Sequence, residues 1–392
     1  MISVAEATAR IVGAFGPVES ERVAIGEAHG RVLATAVRAR MTQPPAPMSA
    51  MDGYAVRASD TPGTLSLIGS APAGHPFSGS VKQGETVRIF TGGVVPQGAD
   101  AIVIQEDTEA HGERIAMNVA AKPGRHIRPA GLDFREGDVL ASEGKRLTPR
   151  DLSLIAAGDV GELVVRRKPL IAIAATGDEL SAPGQPRKAG GIVASSGYGL
   201  KAMIECWGGS VRDLGILPDR IEAIQSIERY AQDADLVVTL GGASVGDHDL
   251  IQKALGPKGF VLDFWKIAMR PGKPLIFGKL GDVPLIGLPG NPVSALVCAT
   301  LFVQAAVNAL LGAAMPIATR SARLSGELGA NDSRQDYLRA VTSLKDGQLW
   351  VKALDVQDSS MLGALAKADA LIVRAAHAEA VPDGTPVEIL LL

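Results

Sequence analysis

Apolar runs of strand length alternate with helical patterns between residues 169 and 316, and this alternation restricts the possible folds more than any other feature. The run PLIAIAATGDEL is a buried strand, SSGYGLKAMIECWGG is a helix ended by glycines, and DLVVTLGG is another buried strand. Strands that alternate with helices form parallel sheets with helices on both faces. We therefore predict a doubly wound α/β domain in this part of the chain.

The remaining segments have different patterns, as expected for a chain of 392 residues, which is long enough for two to four domains. Short β runs separated by glycine and proline fill residues 46–142 and predict a small all-β unit. Short strands return over 317–392, where KDG at 345–347 predicts a hairpin turn. Residues 1–45 and 143–168 mix helical and extended signals.

Charge and cysteine content exclude several classes of protein. The formal net charge of −3 provides no basic surface for nucleic acid. Cys206 and Cys298 cannot form a disulfide framework, and both lie in apolar helical patterns, so we predict buried thiols in the reducing cytoplasm. Residues 283–319 carry no charge, but glycine and proline interrupt them. We therefore predict a buried strand, a turn and a buried helix there, and no membrane span.

Three loops that follow predicted strands carry residues suited to a ligand. In an open parallel sheet, ligands bind beyond the carboxyl ends of the strands, where such loops meet. Glycines let backbone N–H groups approach a ligand, and Asn291 followed by Pro292 predicts a helix N-terminus that favours an anion. One loop of this kind is usually only a turn, but three at one sheet edge favour a binding site. The residues are Thr176, Gly177, Asp178 and Glu179 in the first loop, Gly241, Gly242, Ser244, Asp247 and Asp249 in the second, and Pro289, Gly290, Asn291 and Pro292 in the third.

The segment FWKIAMRPGKPLIFG, residues 264–278, places Lys266, Arg270 and Lys273 within eight residues. A run of charge is usually a solvated face, but the prolines among these cations predict a rigid loop, which suits an oxyanion. Acids at the other strand ends suit Mg²⁺, which prefers one or two carboxylates together with substrate phosphate. We therefore predict a phosphorylated ligand, a divalent metal and a second anion in one crevice. The sequence contains neither a Walker A nor a GxGxxG motif, which excludes the ordinary nucleotide folds.

Two further segments lie in the β-rich region, and turn chemistry alone is enough to explain either of them. SAMDGYAVR at 49–57 contains Asp52, and RIFTGGVVPQGAD at 88–100 contains Thr91 before two glycines. Both segments are far in sequence from the α/β region. To act at the sheet, Asp52 and Thr91 would have to arrive from a neighbouring subunit.

In this order the motifs resemble those of the molybdopterin molybdenumtransferase family, which includes the E domain of gephyrin. The resemblance extends over nearly the full length, with a weaker match in the β-rich tail. Arg270 stands where Lys is also expected in relatives, which keeps the charge but changes its geometry. The matching segments are SAMDGYAVR, RIFTGGVVPQGADAIV, RPAGLDFREGDVL, ATGDEL, GGASVGDHD, FWKIAMRPGKP and GLPGNPVSA.

The resemblance implies a multidomain α/β subunit that forms a homodimer. Residues 1–45 and 143–168 would form a helical and extended dimerisation domain, and 46–142 a β-rich insertion domain. Residues 169–316 would form a doubly wound domain of the molybdopterin-binding type, and 317–392 a small C-terminal β-barrel. The active site would lie between the α/β domain of one subunit and the insertion of the other.

The resemblance also implies a reaction. Molybdenum from molybdate would be inserted into adenylylated molybdopterin with release of AMP and with Mg²⁺ required, as the final step of molybdenum cofactor biosynthesis. Molybdopterin adenylyltransferase and molybdoenzymes would be transient partners in the cytoplasm, and neither nucleic acid nor a membrane is expected as a partner.

The family motifs, carried onto this sequence, imply a set of site residues. We assign Glu179, Asp219 and Asp249 to Mg²⁺, and Lys273 with Arg339 to molybdate. A turn acid after LGILP explains Asp219 equally well. The catalytic set is Asp52, Thr91, Asp133, Glu179, Asp249, Lys266 and Arg270, and the substrate-binding set is Thr176, Gly241, Gly242, Ser244, Lys273, Pro274, Pro289, Gly290, Asn291, Pro292, Arg339, Ser359 and Ser360.

Two other functions are compatible with parts of the pattern. A molybdopterin adenylyltransferase would share the α/β domain, but the insertion and the tail argue against it. A dimeric scaffold for a partner peptide would have no need for acids and cations at every motif loop. Loss of molybdoenzyme activity in Asp249→Ala or Lys273→Ala, with fold and dimer retained, would exclude the scaffold.

Overall fold

The computed structural model describes residues 1–242, 248–313 and 318–392, without the side chains of His248 and Asp249. The chain begins with α1 (Val4–Val12), β1 (Ser20–Ala24) and β2 (Val37–Arg38). Ser3 caps α1, because its side chain accepts a hydrogen bond from the Glu6 N–H at 3.1 Å. The buried face of α1 packs in the core of the α/β domain. Within one subunit the first helix therefore packs with the α/β domain, and its place in a dimerisation domain of residues 1–45 and 143–168 stays a prediction.

The β-rich insertion domain lies within the predicted residues 46–142, but the last predicted strand, Val139–Ala141, packs with the flanking domain instead. A six-stranded sheet of order β7-β4-β6-β5-β9-β8 is its main element, and β3 pairs with β10 beside it. Two small apolar clusters fill this domain, and they share no residue with the core of the α/β domain. The strands are β3 (Met48–Ser49), β4 (Gly53–Val56), β5 (Gly63–Ala71), β6 (Glu85–Ile89), β7 (Ala101–Ile104), β8 (Thr108–His111), β9 (Arg114–Met117) and β10 (Ile127–Arg128).

The chain then returns to pair with its own beginning. β11 (Val139–Ala141) pairs antiparallel with β2, and β12 (Glu162–Arg166) pairs antiparallel with β1. Between them lies α2 (Pro149–Ala157), where Thr148 and Asp151 form a capping box. The insertion is thus held at both ends by the two halves of one domain.

The α/β domain has six strands in the order β16-β13-β17-β21-β20-β18. The first four are parallel, as predicted, whereas β20 runs antiparallel to both of its neighbours, so the sheet is mixed. Its elements are β13 (Leu170–Thr176), β14 (Leu180–Ser181), β15 (Ile192–Val193), α3 (Ser196–Cys206), β16 (Ser210–Leu217), α4 (Ile221–Gln225), α5 (Ile227–Ala231), β17 (Leu236–Leu240), α6 (His248–Leu255), β18 (Phe260–Lys266), β19 (Met269–Arg270), β20 (Pro274–Leu280), β21 (Val283–Leu288), α7 (Pro292–Cys298) and α8 (Gln304–Leu310).

Helices cover both faces of this sheet, so the doubly wound prediction is confirmed. α3, α7, α8 and α1 pack on one face, and α4, α5 and α6 pack on the other. A π-helical turn at Ala299–Val303 joins α7 to α8. The resulting helix, Pro292–Leu310, is long and apolar enough to cross a membrane, and 78% of its most apolar window is buried inside the protein. The predicted buried helix is therefore present.

The last 75 residues form a closed barrel of five strands in the order β23-β24-β22-β26-β25. The barrel is closed because β23, the first of these strands, also pairs with β25, the last. The predicted hairpin turn is present at Asp346 and Gly347, where φ is 50° and 74°. β19 of the α/β domain adds to the barrel beside β23. The barrel elements are β22 (Arg320–Leu324), β23 (Gln335–Lys345), β24 (Gln348–Ala353), α9 (Leu362–Lys367), β25 (Ala370–Arg374) and β26 (Pro386–Leu391).

One prediction about the cysteines is wrong. Cys298 is buried in α7, but Cys206 is exposed at the end of α3. An apolar pattern near a helix end does not decide which way the last side chain points, because the helix stops there at Trp207 and Gly208.

Candidate active site

A cleft of about 540 Å³ opens where β13, β17 and β21 end. All three predicted loops contribute to it, which is the arrangement expected beyond the carboxyl ends of parallel strands. The barrel closes one side through Ser360 and Leu362. The lining residues are Ala175, Thr176, Glu179, Leu180, Ile192, Val193, Ala194, Ser195, Ser196, Gly197, Asp219, Leu240, Gly241, Gly242, Leu250, Gly290, Asn291, Pro292, Ser360 and Leu362.

The glycine turn after β17 lines this cleft and requires glycine. Gly241 has φ of 91° and Gly242 has φ of 67°, both in the left-handed region. A Cβ atom on Gly241 would lie 2.7 Å from the carbonyl oxygen of Thr176. The Thr176 hydroxyl is buried and has no hydrogen-bond partner in the part of the chain that the structure describes. A polar atom in this condition suits a ligand that supplies the missing partner. Ser244 lies outside the described residues.

Two predicted metal ligands, Glu179 and Asp219, line the same cleft and are exposed to solvent. The loop is braced by the Asp219 N–H, which donates to the Asp178 carboxylate at 3.3 Å. Two carboxylates fit Mg²⁺, which commonly takes one or two acids and substrate phosphate. No cluster of three His, Cys, Asp or Glu residues that could hold a metal occurs among the described residues. The side chain of Asp249, the third predicted ligand, lies outside them.

The third loop makes its contacts to the barrel. The Asn291 side chain donates to the Ser359 hydroxyl at 3.0 Å, and the Val293 N–H donates to the Ser359 carbonyl at 3.1 Å. Asn291 therefore starts α7 without capping it through its side chain. One N–H of the predicted anion-binding helix end is already occupied, so this end has less capacity for an anion than we expected. Gly290 lines the cleft, whereas Pro289 is buried behind it.

Arg339 is a buried cation on the barrel side of the site, with 1% of its surface exposed. Its Nη2 donates to the carbonyl of Asp358 at 3.3 Å, and its Nε has no partner in the described chain. Burial lowers the pKa of Arg339, and the nearby Asp358 carboxylate opposes this effect. The Ser360 hydroxyl and N–H both donate to Asp358, at 2.6 and 2.8 Å, and they lower the pKa of that acid.

We call residues 266–273 the cationic loop. Its three cations do not line the cleft. The Lys266 ammonium lies 3.5 Å from the centre of the Trp265 ring. Arg270 binds acids of the barrel. Lys273 is exposed and has no ion pair within the described ranges, and Pro274 begins β20 next to it.

The predicted residues of the insertion domain are also absent from the cleft of their own chain. Asp52 Oδ1 accepts hydrogen bonds from the Thr91 N–H at 2.7 Å and from the Thr91 hydroxyl at 2.8 Å. These two bonds lower the pKa of Asp52, with a smaller contribution from Arg88. We call this exposed pair the insertion tip. Asp133 is exposed as well, and its N–H donates to the Gln43 carbonyl at 3.0 Å. Their arrival from a second subunit stays a prediction.

The cleft also has an apolar wall, which the sequence analysis does not predict. Leu180, Ile192 and Val193, from the small β14–β15 ladder, line the cleft together with Leu250 and Leu362. Such a wall suits the flat face of an aromatic ring. The available signal was weak, because Ile192 and Val193 are two apolar residues in a glycine-rich loop without periodicity.

Comparison with known proteins agrees with this architecture. Three family models match: "MoeA N-terminal region (domain I and II)" at residues 2–158, "Probable molybdopterin binding domain" at 172–309 and "MoeA C-terminal region (domain IV)" at 321–392. A molybdopterin molybdenumtransferase of Haemophilus influenzae is 36% identical over 91% of this chain and 90% of its own. This chain belongs to the molybdopterin molybdenumtransferase family.

A second relative and a solved structure give the same result. One from Nostoc sp. is 33% identical over 95% of this chain and 89% of its own. The crystal structure of the molybdopterin biosynthesis MoeA protein from Pyrococcus horikosii matches with a TM-score of 0.84 and 30% identity, covering 100% of this chain and 99% of that one. The family resemblance and the fold predicted from the sequence are thereby confirmed.

Proposed function

We propose that this protein transfers molybdenum from molybdate to adenylylated molybdopterin and releases AMP, the final step of molybdenum cofactor biosynthesis. The observation that carries the proposal is the cleft itself. It combines a glycine turn, two carboxylates, an apolar wall and a barrel serine at one sheet edge. Relatives that share about nine-tenths of their length with this chain are named molybdopterin molybdenumtransferase, which supports the proposal.

Each part of the cleft has a function in this reaction. The apolar wall offers a surface for a flat ring of the substrate, and the Gly241–Gly242 turn lets phosphate approach the backbone closely. Glu179 and Asp219, with Asp249 as the predicted third ligand, would hold Mg²⁺. When bound, Mg²⁺ would neutralise the phosphate charge that develops as the phosphoanhydride bond breaks.

Arg339 supports the assignment of molybdate to the barrel side. A buried guanidinium is costly without an anion, and Arg339 makes no ion pair in the described part of the chain. Its position behind Asp358 and Ser360 brings it close to the residue that closes the cleft. We propose that Lys273 of the cationic loop provides the second positive charge for molybdate.

The proposal includes a cytoplasmic homodimer in which the insertion tip of one subunit completes the cleft of the other. Motif positions support this arrangement, since Asp52 and Thr91 belong to the matching segments but lie outside the cleft of their own chain. The proposed transient partners are molybdopterin adenylyltransferase and molybdoenzymes. Neither nucleic acid nor a membrane is proposed as a partner.

The test supplies the purified protein with adenylylated molybdopterin, molybdate and Mg²⁺. We expect AMP release that requires molybdate and Mg²⁺ and is abolished by EDTA. We also expect a product that reactivates a molybdoenzyme lacking its cofactor. Synthesis of adenylylated molybdopterin from ATP and molybdopterin, without molybdate-dependent AMP release, would instead identify an adenylyltransferase.

A further inference from the structure

The cationic loop is a junction that three other parts of the molecule hold in place. The Ala268 N–H donates to the Ile2 carbonyl at 2.8 Å, and the Ala268 carbonyl accepts from the Gln335 N–H of the barrel at 2.9 Å. Gly272 lies against the buried Cys298 so closely that a Cβ atom there would be 2.3 Å from the sulfur. The backbone of this loop is therefore fixed between the N-terminus, α7 and the barrel.

Arg270 extends this junction through its side chain. Its Nε donates to Asp336 Oδ2 at 3.1 Å, and its Nη2 donates to the same oxygen. Its Nη1 donates to Asp332 at 3.4 Å, and its Nη2 also reaches Asn331 at 3.3 Å. These three partners all belong to the barrel domain, so most of the guanidinium donors are used between domains.

Asp336 is the buried member of this group, with 4% of its surface exposed. A buried carboxylate is costly unless a cation pairs with it, and Arg270 is the cation that does so. Asp332 is half-exposed, so its contact with Arg270 is weaker. The Arg270–Asp336 pair therefore supplies most of the side-chain connection between the loop and the barrel.

The same barrel strand carries both Asp336 and Arg339. β23 pairs with β19 through Arg270 and Asp336, and Arg339 follows three residues later. A strand rises about 3.3 Å per residue, so Arg339 lies only about 10 Å along β23 from Asp336. Lys273 lies three residues after Arg270 in the cationic loop. The pair thus joins the two segments that carry the cations assigned to molybdate, and these segments come from different domains.

We propose that Arg270 is a positioning residue that, through Asp336, sets the distance between Lys273 of the cationic loop and Arg339 of the barrel. This inference rests on the proposed function and replaces the catalytic role that the motif implied for Arg270. The planar fork of arginine can use two nitrogens on one carboxylate, which lysine cannot do.

The test measures molybdate binding and adenylylated molybdopterin binding separately by calorimetry, together with turnover. In Asp336→Asn we expect the Kd for molybdate to rise on the order of tenfold or more, because small displacements of paired charges are costly. Affinity for adenylylated molybdopterin should stay unchanged. Asp332→Asn is the matched control and should bind both ligands normally. The Arg270→Gln and Asp336→Asn double variant should be no worse than either single variant.

Three results would overturn the inference. Arg270→Gln could weaken molybdate binding while Asp336→Asn does not, which would mean that Arg270 contacts substrate. Both variants could weaken the two ligands equally, which would mean a general structural role. The unmodified protein could fail to bind molybdate, which would leave no anion to position. If Asp336→Asn does not fold, Arg270→Lys carries the same expectation for molybdate, because it keeps the charge but loses the fork.

The inference and the proposed function fail in different ways. A protein that binds molybdate but releases no AMP would contradict the proposed reaction. In that case the variants would still report on Arg270 through molybdate binding alone.

Discussion

The cleft and the insertion tip both carry predicted site residues, but their hydrogen bonds differ. In the cleft, the Thr176 hydroxyl is buried and has no partner in the described ranges. At the insertion tip, Asp52 accepts two bonds from Thr91 in full contact with solvent. The Thr176 hydroxyl therefore remains available to a ligand, whereas both Thr91 donors at the tip are already used by Asp52 Oδ1.

The cleft is formed within one chain, whereas a site that includes the tip would require two chains. The cleft is recognisable from a single subunit, because strand ends, barrel and acids meet there. Asp52 and Thr91 of the tip could take part in catalysis only if the tip enters the cleft of another subunit.

The largest effect is expected for Glu179→Gln in the cleft. Removal of its charge should reduce molybdate-dependent AMP release on the order of a hundredfold, as for other charge-stabilising groups. Glu162→Gln is the matched control, because Glu162 is exposed on β12 and does not line the cleft. Full activity of Glu179→Gln would mean that this acid is only part of a turn.

The next effect comes from mixing two inactive variants, Asp52→Ala and Glu179→Gln. If each site joins the cleft of one subunit to the tip of another, a mixed dimer has one intact site. Equal expression should then restore about one quarter of normal activity, because half of the dimers are mixed. Activity is measured after coexpression and compared with a mixture of separately purified variants. No recovery in a mixed dimer of proven composition would place tip and cleft function within one chain.

A smaller effect is expected for glycine substitutions in the two regions. Gly241→Ala should lower the free energy of unfolding by about 1–3 kcal/mol, because alanine resists positive φ. Its Cβ would also meet the Thr176 carbonyl at 2.7 Å. Gly92→Ala beside the tip has φ of 80° but room for a Cβ, with Ala73 at 3.7 Å, so we expect a smaller loss. Urea denaturation measures both. Equal losses would show that the crowding in the cleft costs nothing.

The smallest effect is a shift in the titration of Asp52. The Thr91 donors lower its pKa below the ordinary 3.8. The pair therefore stabilises the tip fully above that pH and loses its effect as pH falls through the lowered pKa. The Thr91 amide resonance, followed by NMR, should shift with a midpoint below 3.8. In Thr91→Ala, one donor remains and the midpoint should rise toward the ordinary value. A midpoint at or above the ordinary value in the unmodified protein would contradict the hydrogen-bond geometry.

Much of the cleft could be predicted from sequence because parallel topology brings strand ends to one edge. Thr176, Glu179 and Gly241 were recognised in this way from loops more than sixty residues apart. The hairpin turn at Asp346 follows equally local rules, since two residues with positive φ suffice to join the strands.

Contacts between domains could not be predicted in the same way. Arg270 looked like a free cation for substrate, because its acidic partners, Asp332 and Asp336, lie more than sixty residues away in a different pattern. The apolar wall was missed because Ile192 and Val193 belong to a loop whose shape depends on β14. Periodicity reports on one element at a time, whereas these features depend on which elements meet.

The pairing of β1 with β12 and of β2 with β11 has a consequence during synthesis. Each early strand must wait for a partner that the ribosome makes more than a hundred residues later. At about 5–20 residues per second, this delay is on the order of ten seconds. The insertion has its own apolar clusters and emerges complete within that interval. We therefore expect it to act as a folded spacer that brings the unpaired N-terminal strands back toward their late partners.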